Sequence, residues 1–212
     1  MPSDRSEAER PYWLPKADLE QLFASLDALE AHHGVDIQLD FDDANETDHS
    51  VVLPLLKRFS RRAAFFVPTD HIDQPGFLCE HQIKDLVSAG MILGSHGTDH
   101  VPWTELSNME LARQLRHSKT VLEALSGTRV KGAAAPHGCW CPRVVSQVLE
   151  AGYERLHTCG ERPCQDYGLL NHRLVVRRGD DVDAAISKKL QFLYRMVHRA
   201  KDLHDRLFVV AA

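Results

Sequence analysis

Short apolar runs alternate along the chain with stretches of helical periodicity, and this alternation restricts the fold more than any other feature of the 212 residues. The runs are "VDIQLDF", "AAFFV", "MILGSH", "VKGAAAP", "YERLHT" and "LVVRR". Helices are expected in "SVVLPLLKRFS", "HQIKDLVSAG", "NMELARQLRHSKTVLEALSG" and "PRVVSQVLEAG", with a closing helix in "DDVDAAISKKLQFLYRMVHRAKDLHD". Ahead of the first run, Leu19, Leu22, Phe23, Leu26 and Leu29 recur at helical spacing until Gly34 interrupts them. A loop rich in Gly, Pro and Cys precedes "LVVRR". Strands separated by helices cannot form hairpins, so they run parallel with right-handed crossovers. There is no internal repeat and no linker. Residues 1–212 therefore read as one α/β domain, with an N-terminal extension and helix over 1–34 and the alternating region over 35–212.

A chain that is 43% hydrophobic and 26% charged can bury a sizeable core. Its net charge of -5, with basic residues scattered, gives no footprint for nucleic acid or an anionic membrane. Small polar substrates suit it better. No run is long and apolar enough to insert in a bilayer, and "MPSDRSEAERPYW" lacks the apolar core of a signal peptide, so a cytoplasmic location is expected. The five cysteines are an odd number, which argues against a disulfide framework. Cys139 with Cys141, and Cys159 with Cys164, lack the C-x-x-C spacing of a thiolate zinc site.

Parallel α/β folds gather their functional groups at the C-terminal ends of the strands. Three such ends carry unusual chemistry here: "DFDDAN", "GSHGTDH" and "AAAPHG". The first holds three carboxylates in four residues, Asp40, Asp42 and Asp43, which repel one another unless a cation offsets them. His96 and His100 point to one side if the chain enters a helical turn after its strand. Among 13 histidines such a spacing is unremarkable alone. Joined by one carboxylate it makes a half-closed coordination sphere with room for water or substrate. Successive side chains leaving a strand point in different directions, so one of Asp42 and Asp43 can bind the ion while the other faces the attacking water as a base. "GTRVKGAA" has Ala133 and Ala134 where a phosphate-binding loop needs Lys and Ser/Thr, and "LGSHG" has Leu93 where a nucleophile elbow needs Gly.

Together, in this order, the three strand ends resemble those of the polysaccharide deacetylases, carbohydrate esterase family four. That family carries T-F-D-D-G, H-[ST]-x-x-H and R-x-P-x-[GY], against "DFDDA", "HGTDH" and "AAPHG" here. "AAFFV" is similar to the family's A-T-F-F-V strand, and the likeness runs from about residue 35 to 152. It implies a distorted or incomplete (β/α) barrel of about seven parallel strands over 35–212. It implies further that Asp43, His96 and His100 bind a divalent metal, zinc being usual and cobalt, nickel or iron also accepted, and that Asp42 is the catalytic base. A water activated by the cation would attack the amide carbonyl of an N-acetyl sugar. Backbone N–H at His137, in the turn of Pro136, His137 and Gly138, would stabilise the oxyanion. Pro136, Gly138 and Arg173 are the expected substrate contacts.

Several positions depart from the family pattern. The Arg of its third motif is Ala134 here, the Thr of its first is Asp40, and its later Asp and Trp motif is not recognisable. Its terminal L-x-H, whose His protonates the leaving amine, is matched by Leu170-Asn171-His172, with His157 as competitor. Arg173 and Arg177 are the candidates to replace the missing Arg. The expected activity is a metal-dependent hydrolase removing an acyl group, acetyl first, from an amino sugar. The substrate would be an N-acetylated sugar, free or on a nucleotide or lipid carrier, as a precursor of surface polysaccharide. A silent sugar-binding or scaffold homologue, and a non-haem iron oxygenase using the same three ligands, are the alternatives.

Overall fold

The chain closes into a barrel of seven parallel strands joined in sequence order, in a computed structural model that describes residues 11–159, 169–197 and 206–210. The strands are β1 (Asp36–Asp42), β2 (Ala63–Val67), β3 (Ile92–Ser95), β4 (Gly132–Ala134), β5 (Arg155–Cys159), β6 (Leu170–Val175) and β7 (Arg206–Val210). The helices are α1 (Lys16–His33), α2 (Leu53–Arg58), α3 (Glu80–Ser88), α4 (Asn108–Ser126), α5 (Pro142–Glu150) and α6 (Val182–Val197). Strands β1 to β6 curl into a parallel arc, and β7 pairs with β6 on one side and β1 on the other to close it.

Alternation along β1 explains what the barrel buries and where. Ile37, Leu39 and Phe41 face outward into the helical shell, with Phe41 stacked on Phe65 of β2 at 5.3 Å between ring centroids. That shell is the main core, built with Leu19, Leu22, Phe23 and Leu26 of α1 and with Leu111, Leu115 and Leu122 of α4. The inward face of β1 instead carries Asp40 and Asp42, both buried. Among the described side chains, the apolar filling inside the barrel is a small separate cluster of Ala64, Phe66 and Ala134. The Phe66 ring lies against Gly94 of β3, where a methyl group would collide with it. Where β1 and β6 line it, the described interior is therefore largely polar.

Two elements differ from what apolar runs alone predict. The sixth strand spans Leu170–Val175 and not "LVVRR". Its first four residues, "LNHR", are mostly polar because Asn171 and Arg173 face the polar groups of β5 and β1, so a hydrophobicity rule passes over them. The seventh, "RLFVV", follows the closing helix and is missing from the six runs. The stretch "SVVLPLLKRFS" begins as a π-turn, Asp48–Val52, before α2 takes over. The loop at 160–168, with Cys164, lies outside the described residues; the other four cysteines are free thiols.

Candidate active site

The first two strand ends meet as a triangle of ligand atoms. Asp43 follows directly after β1, in a turn where it and Ala44 take left-handed φ values of 74° and 58°. Its Oδ1 lies 3.1 Å from His100 Nε2 and 3.5 Å from His96 Nε2. The histidines do not lie on a helical turn. The chain leaves β3 through an irregular loop in which Gly97 and His100 are left-handed, with φ of 78° and 61°. Left-handed backbone at non-glycine residues costs energy, and four of the six such residues in the described chain, Asp43, Ala44, His100 and His137, cluster here.

A network behind the loop holds it in this shape. Gln114 of α4 is buried, and its Nε2 donates to both oxygens of Asp99, at 2.9 and 3.1 Å, on one side of His100. Asp99 Oδ1 also accepts from the backbone N–H of Val101 on the other side. The Gly97 N–H donates to Ser95 Oγ, which contacts Ser118 Oγ at 2.8 Å, and Ser118 reaches the Tyr153 hydroxyl at 3.3 Å. Gly97 cannot carry a side chain, since a Cβ there would fall 2.9 Å from Trp103 Nε1.

The donor set fits a divalent cation. His96 Nδ1 donates to the Ala134 carbonyl at 2.8 Å, which leaves its Nε2 lone pair aimed at the triangle. Asp43 Oδ1 is buried and accepts no hydrogen bond of good geometry, although two imidazole nitrogens approach it. Lone pairs converging this closely repel unless a cation or protons sit between them. Burial pushes the Asp43 carboxyl up, but the His100 and His96 contacts outweigh it and hold the group well below the usual carboxylate range. Among the described residues, Asp43, His96 and His100 form one of two clusters with metal-ligand composition.

Asp42 is beside the triangle and differently engaged. Arg173 of β6, fully enclosed, grips it with two parallel bonds, Nη1 to Oδ1 and Nη2 to Oδ2, each 2.7 Å. Burial raises the Asp42 carboxyl, but the charges of Arg173 and His96 and the Arg173 hydrogen bonds together outweigh it, and Asp42 stays below its ordinary value. Arg173 Nη2 also touches Cys159 Sγ at 3.3 Å. The expectation that Arg173 contacts substrate is thus corrected: burial and two bonds to Asp42 make it the partner of the base, standing where Ala134 supplies no side chain.

One layer deeper, Asp40 Oδ2 meets His157 Nδ1 at 2.7 Å, and His157 Nε2 meets Asn171 Nδ2 at 3.1 Å. Arg173 Nη1 lies 3.7 Å from the same Asp40 oxygen. This layer was not anticipated as a unit. The signal for it was the i, i+2 spacing of Asp40 with Asp42, and of Asn171 with Arg173, which places each pair on one strand face.

His172 falls between the inward residues Asn171 and Arg173, so the pleat sends it to the other face of β6. There its Nδ1 contacts Thr158 Oγ1 at 3.0 Å and its ring lies 6.2 Å from Trp140. The register thus turns the expected proton donor away from Asp42. His137, at φ 56°, sits at the mouth with its ring 4.6 Å from that of His100. Pro136 and Gly138 are buried in the turn, and a Cβ on Gly138 would fall 2.7 Å from Cys159 Cβ, so they shape the turn and do not line its surface.

Comparison with known proteins places this geometry in context. The polysaccharide deacetylase family model matches residues 31–156. A putative polysaccharide deacetylase, YxkH of Bacillus subtilis, is 21% identical over 118 residues, which is 56% of this chain and 42% of that protein's length. Among solved structures, IcaB from Ammonifex degensii superimposes with a TM-score of 0.71 at 19% identity, covering 89% of this chain and 93% of its own. The Streptococcus pyogenes deacetylase PplD, in complex with acetate, superimposes with a TM-score of 0.70 at 16% identity, covering 84% and 92%.

Proposed function

The chain belongs to the polysaccharide deacetylase family, and on that premise we propose that it is a divalent-metal-dependent hydrolase that removes an N-acetyl group from an amino sugar. One observation carries the reading. Asp40, Asp42 and Asp43 are three neighbouring carboxylates, and Arg173, the guanidinium among them, bonds Asp42 and lies near Asp40 while Asp43 meets only the rings of His96 and His100, so negative charge is left over at the mouth of the barrel. One divalent cation at the triangle of Asp43, His96 and His100 neutralises it. Held there, such an ion supplies Lewis-acid polarisation of water and of the amide carbonyl.

The chain's own groups supply the rest. Asp42, kept ionised by Arg173, accepts the proton of the attacking water. Arg173 fixes the carboxylate plane, so the base needs no reorganisation. In the motif turn the N–H groups of Gly138 and Cys139 are spent on the carbonyls of Ala135 and Pro136, which leaves the His137 N–H as the donor for the developing oxyanion. The proton that Asp42 takes from the water passes on to the leaving amine, and His137, whose pKa burial and the neighbouring His100 and His96 hold down, serves as the neutral hydrogen-bonding partner that receives and orients that amine at the mouth. The ring nitrogens of His157 contact Asp40 and Asn171, which makes His157 a positioning group. The outward turn of His172 is the observation that favours the rival reading, a homologue that binds sugar without turnover. An iron oxygenase is the weaker alternative, because the ligand set stands on a parallel barrel of a deacetylase family.

Acetate release from a panel of N-acetylated sugars, nucleotide sugars and oligosaccharides tests the proposal. Wild-type protein loaded with zinc or cobalt is expected to release acetate. Asp42→Asn is expected to keep its metal and lose activity by about two to four orders of magnitude. If sugars bind yet no substrate yields acetate above the Asp42→Asn background, the silent-binder reading replaces this one.

A further inference from the structure

We propose a second divalent-cation site, built from His32, His33 and Asp183 on the outside of the barrel and independent of the candidate active site. The ligand atoms of these three side chains all lie within 4.8 Å of one another. His33 Nε2 and Asp183 Oδ1 are already 2.7 Å apart, closer than two ligands on one ion need to be. The His32 and His33 rings are 4.7 Å apart between centroids, and His32 is exposed, so rotation of its ring closes the triangle.

The surroundings are prepared for positive charge. His32 and His33 occupy the last turn of α1, where unpaired carbonyls place the negative end of the helix dipole. Asp183 stands in the first turn of α6, yet it is not needed as that helix's cap. Asp181 performs that task, with its Oδ1 accepting from the Ala184 N–H at 3.0 Å and its carbonyl accepting from the Ala185 N–H. The Asp183 carboxylate turns across to α1 instead. The His33 side chain is only 8% exposed, so its rotamer is fixed by packing, while Asp183 at 55% leaves the outer coordination positions open to water. Two imidazoles and one carboxylate select a late first-row ion such as zinc, nickel or copper over magnesium or calcium.

The location gives the ion a structural task. Helix α1 leads into β1 and α6 leads towards β7, and β1 with β7 is the pair that closes the barrel. An ion bridging the two helices staples the ends of the ring together.

Equilibrium dialysis of the full chain against zinc, followed by metal analysis, tests the site. The expected content is two ions in wild type, one in His33→Gln, one in the triple variant Asp43→Ala/His96→Ala/His100→Ala, and none in the combination. His33→Gln keeps a side chain that can hydrogen-bond to Asp183, and Asp183→Asn provides a second removal with little change of shape. In the triple variant, zinc at a hundredfold excess over its dissociation constant is expected to raise Tm by about 5 to 10 °C, an effect lost on adding His33→Gln. Wild-type metal content in both His33→Gln and Asp183→Asn would overturn the proposal. A single ion lost only in His33→Gln would instead uphold this site and remove the candidate active site.

Discussion

Asp42 acts in this account only as a carboxylate, and Arg173 is what keeps it one. Removing the guanidinium leaves burial as the dominant influence, so the Asp42 pKa rises. A general base works above its pKa and fails as pH falls through it. Arg173→Met is therefore expected to move the acid limb of kcat/KM to higher pH, to lower the rate at neutral pH by about ten- to a hundredfold, and to destabilise the fold by about 3 to 5 kcal/mol through the uncompensated buried charge. A pH-rate profile at matched metal content, with a urea titration, checks all three. Arg173→Lys should not restore the profile, since a point charge cannot make two parallel bonds. The two aspartates, the paired histidines and the charge they gather were all legible as residue types in sequence. Arg173 and Arg177 stood together as candidates for the missing Arg, and the choice between them was not legible, because the bond to Asp42 spans 131 positions and both arginines lie beyond residue 156, where the family match stops.

At the scale of elements, the strand pleat decides which histidines matter. Because β6 turns Asn171 and Arg173 inward, His172→Ala is expected to change acetate release by less than about threefold, whereas His137→Ala should cost at least tenfold with metal content unchanged. Equal losses in both variants would contradict the assigned face. The relay from Tyr153 through Ser118 and Ser95 to Gly97 ties α4 and β3 to the histidine loop. Burial pushes the Tyr153 hydroxyl up to about 12. The folded state thus favours the protonated phenol, and its contribution to stability is complete below about pH 10 and is lost between there and about pH 12. Tyr153→Phe is expected to flatten that decline in urea titrations while costing about 1 kcal/mol at neutral pH. Sequence patterning located helices and outer strand faces well because both follow apolar periodicity. It misplaced β6 and passed over β7, and the helical turn that would bring His96 and His100 to one side is replaced by a loop with left-handed residues. Those misses sit where polar function displaces the hydrophobic pattern, or where a short run stands alone after a long helix.

Across the molecule, the described side chains of the barrel invert the usual division of core and surface. Its apolar mass lies between strands and helices, and its interior is given to carboxylates, an arginine and imidazoles at the end where β1, β3 and β6 finish. Such an interior is tolerable only when its charges cancel, so under the proposed function folding and chemistry would depend on the same ion. Anomalous diffraction at the zinc edge, from crystals grown with zinc, tests that claim most directly. The account predicts a peak about 2.0 to 2.2 Å from Asp43 Oδ1, His96 Nε2 and His100 Nε2, with Asp42 still on Arg173 and outside the coordination shell. A triangle without a peak, or a peak bound by Asp42 in place of Asp43, would contradict it.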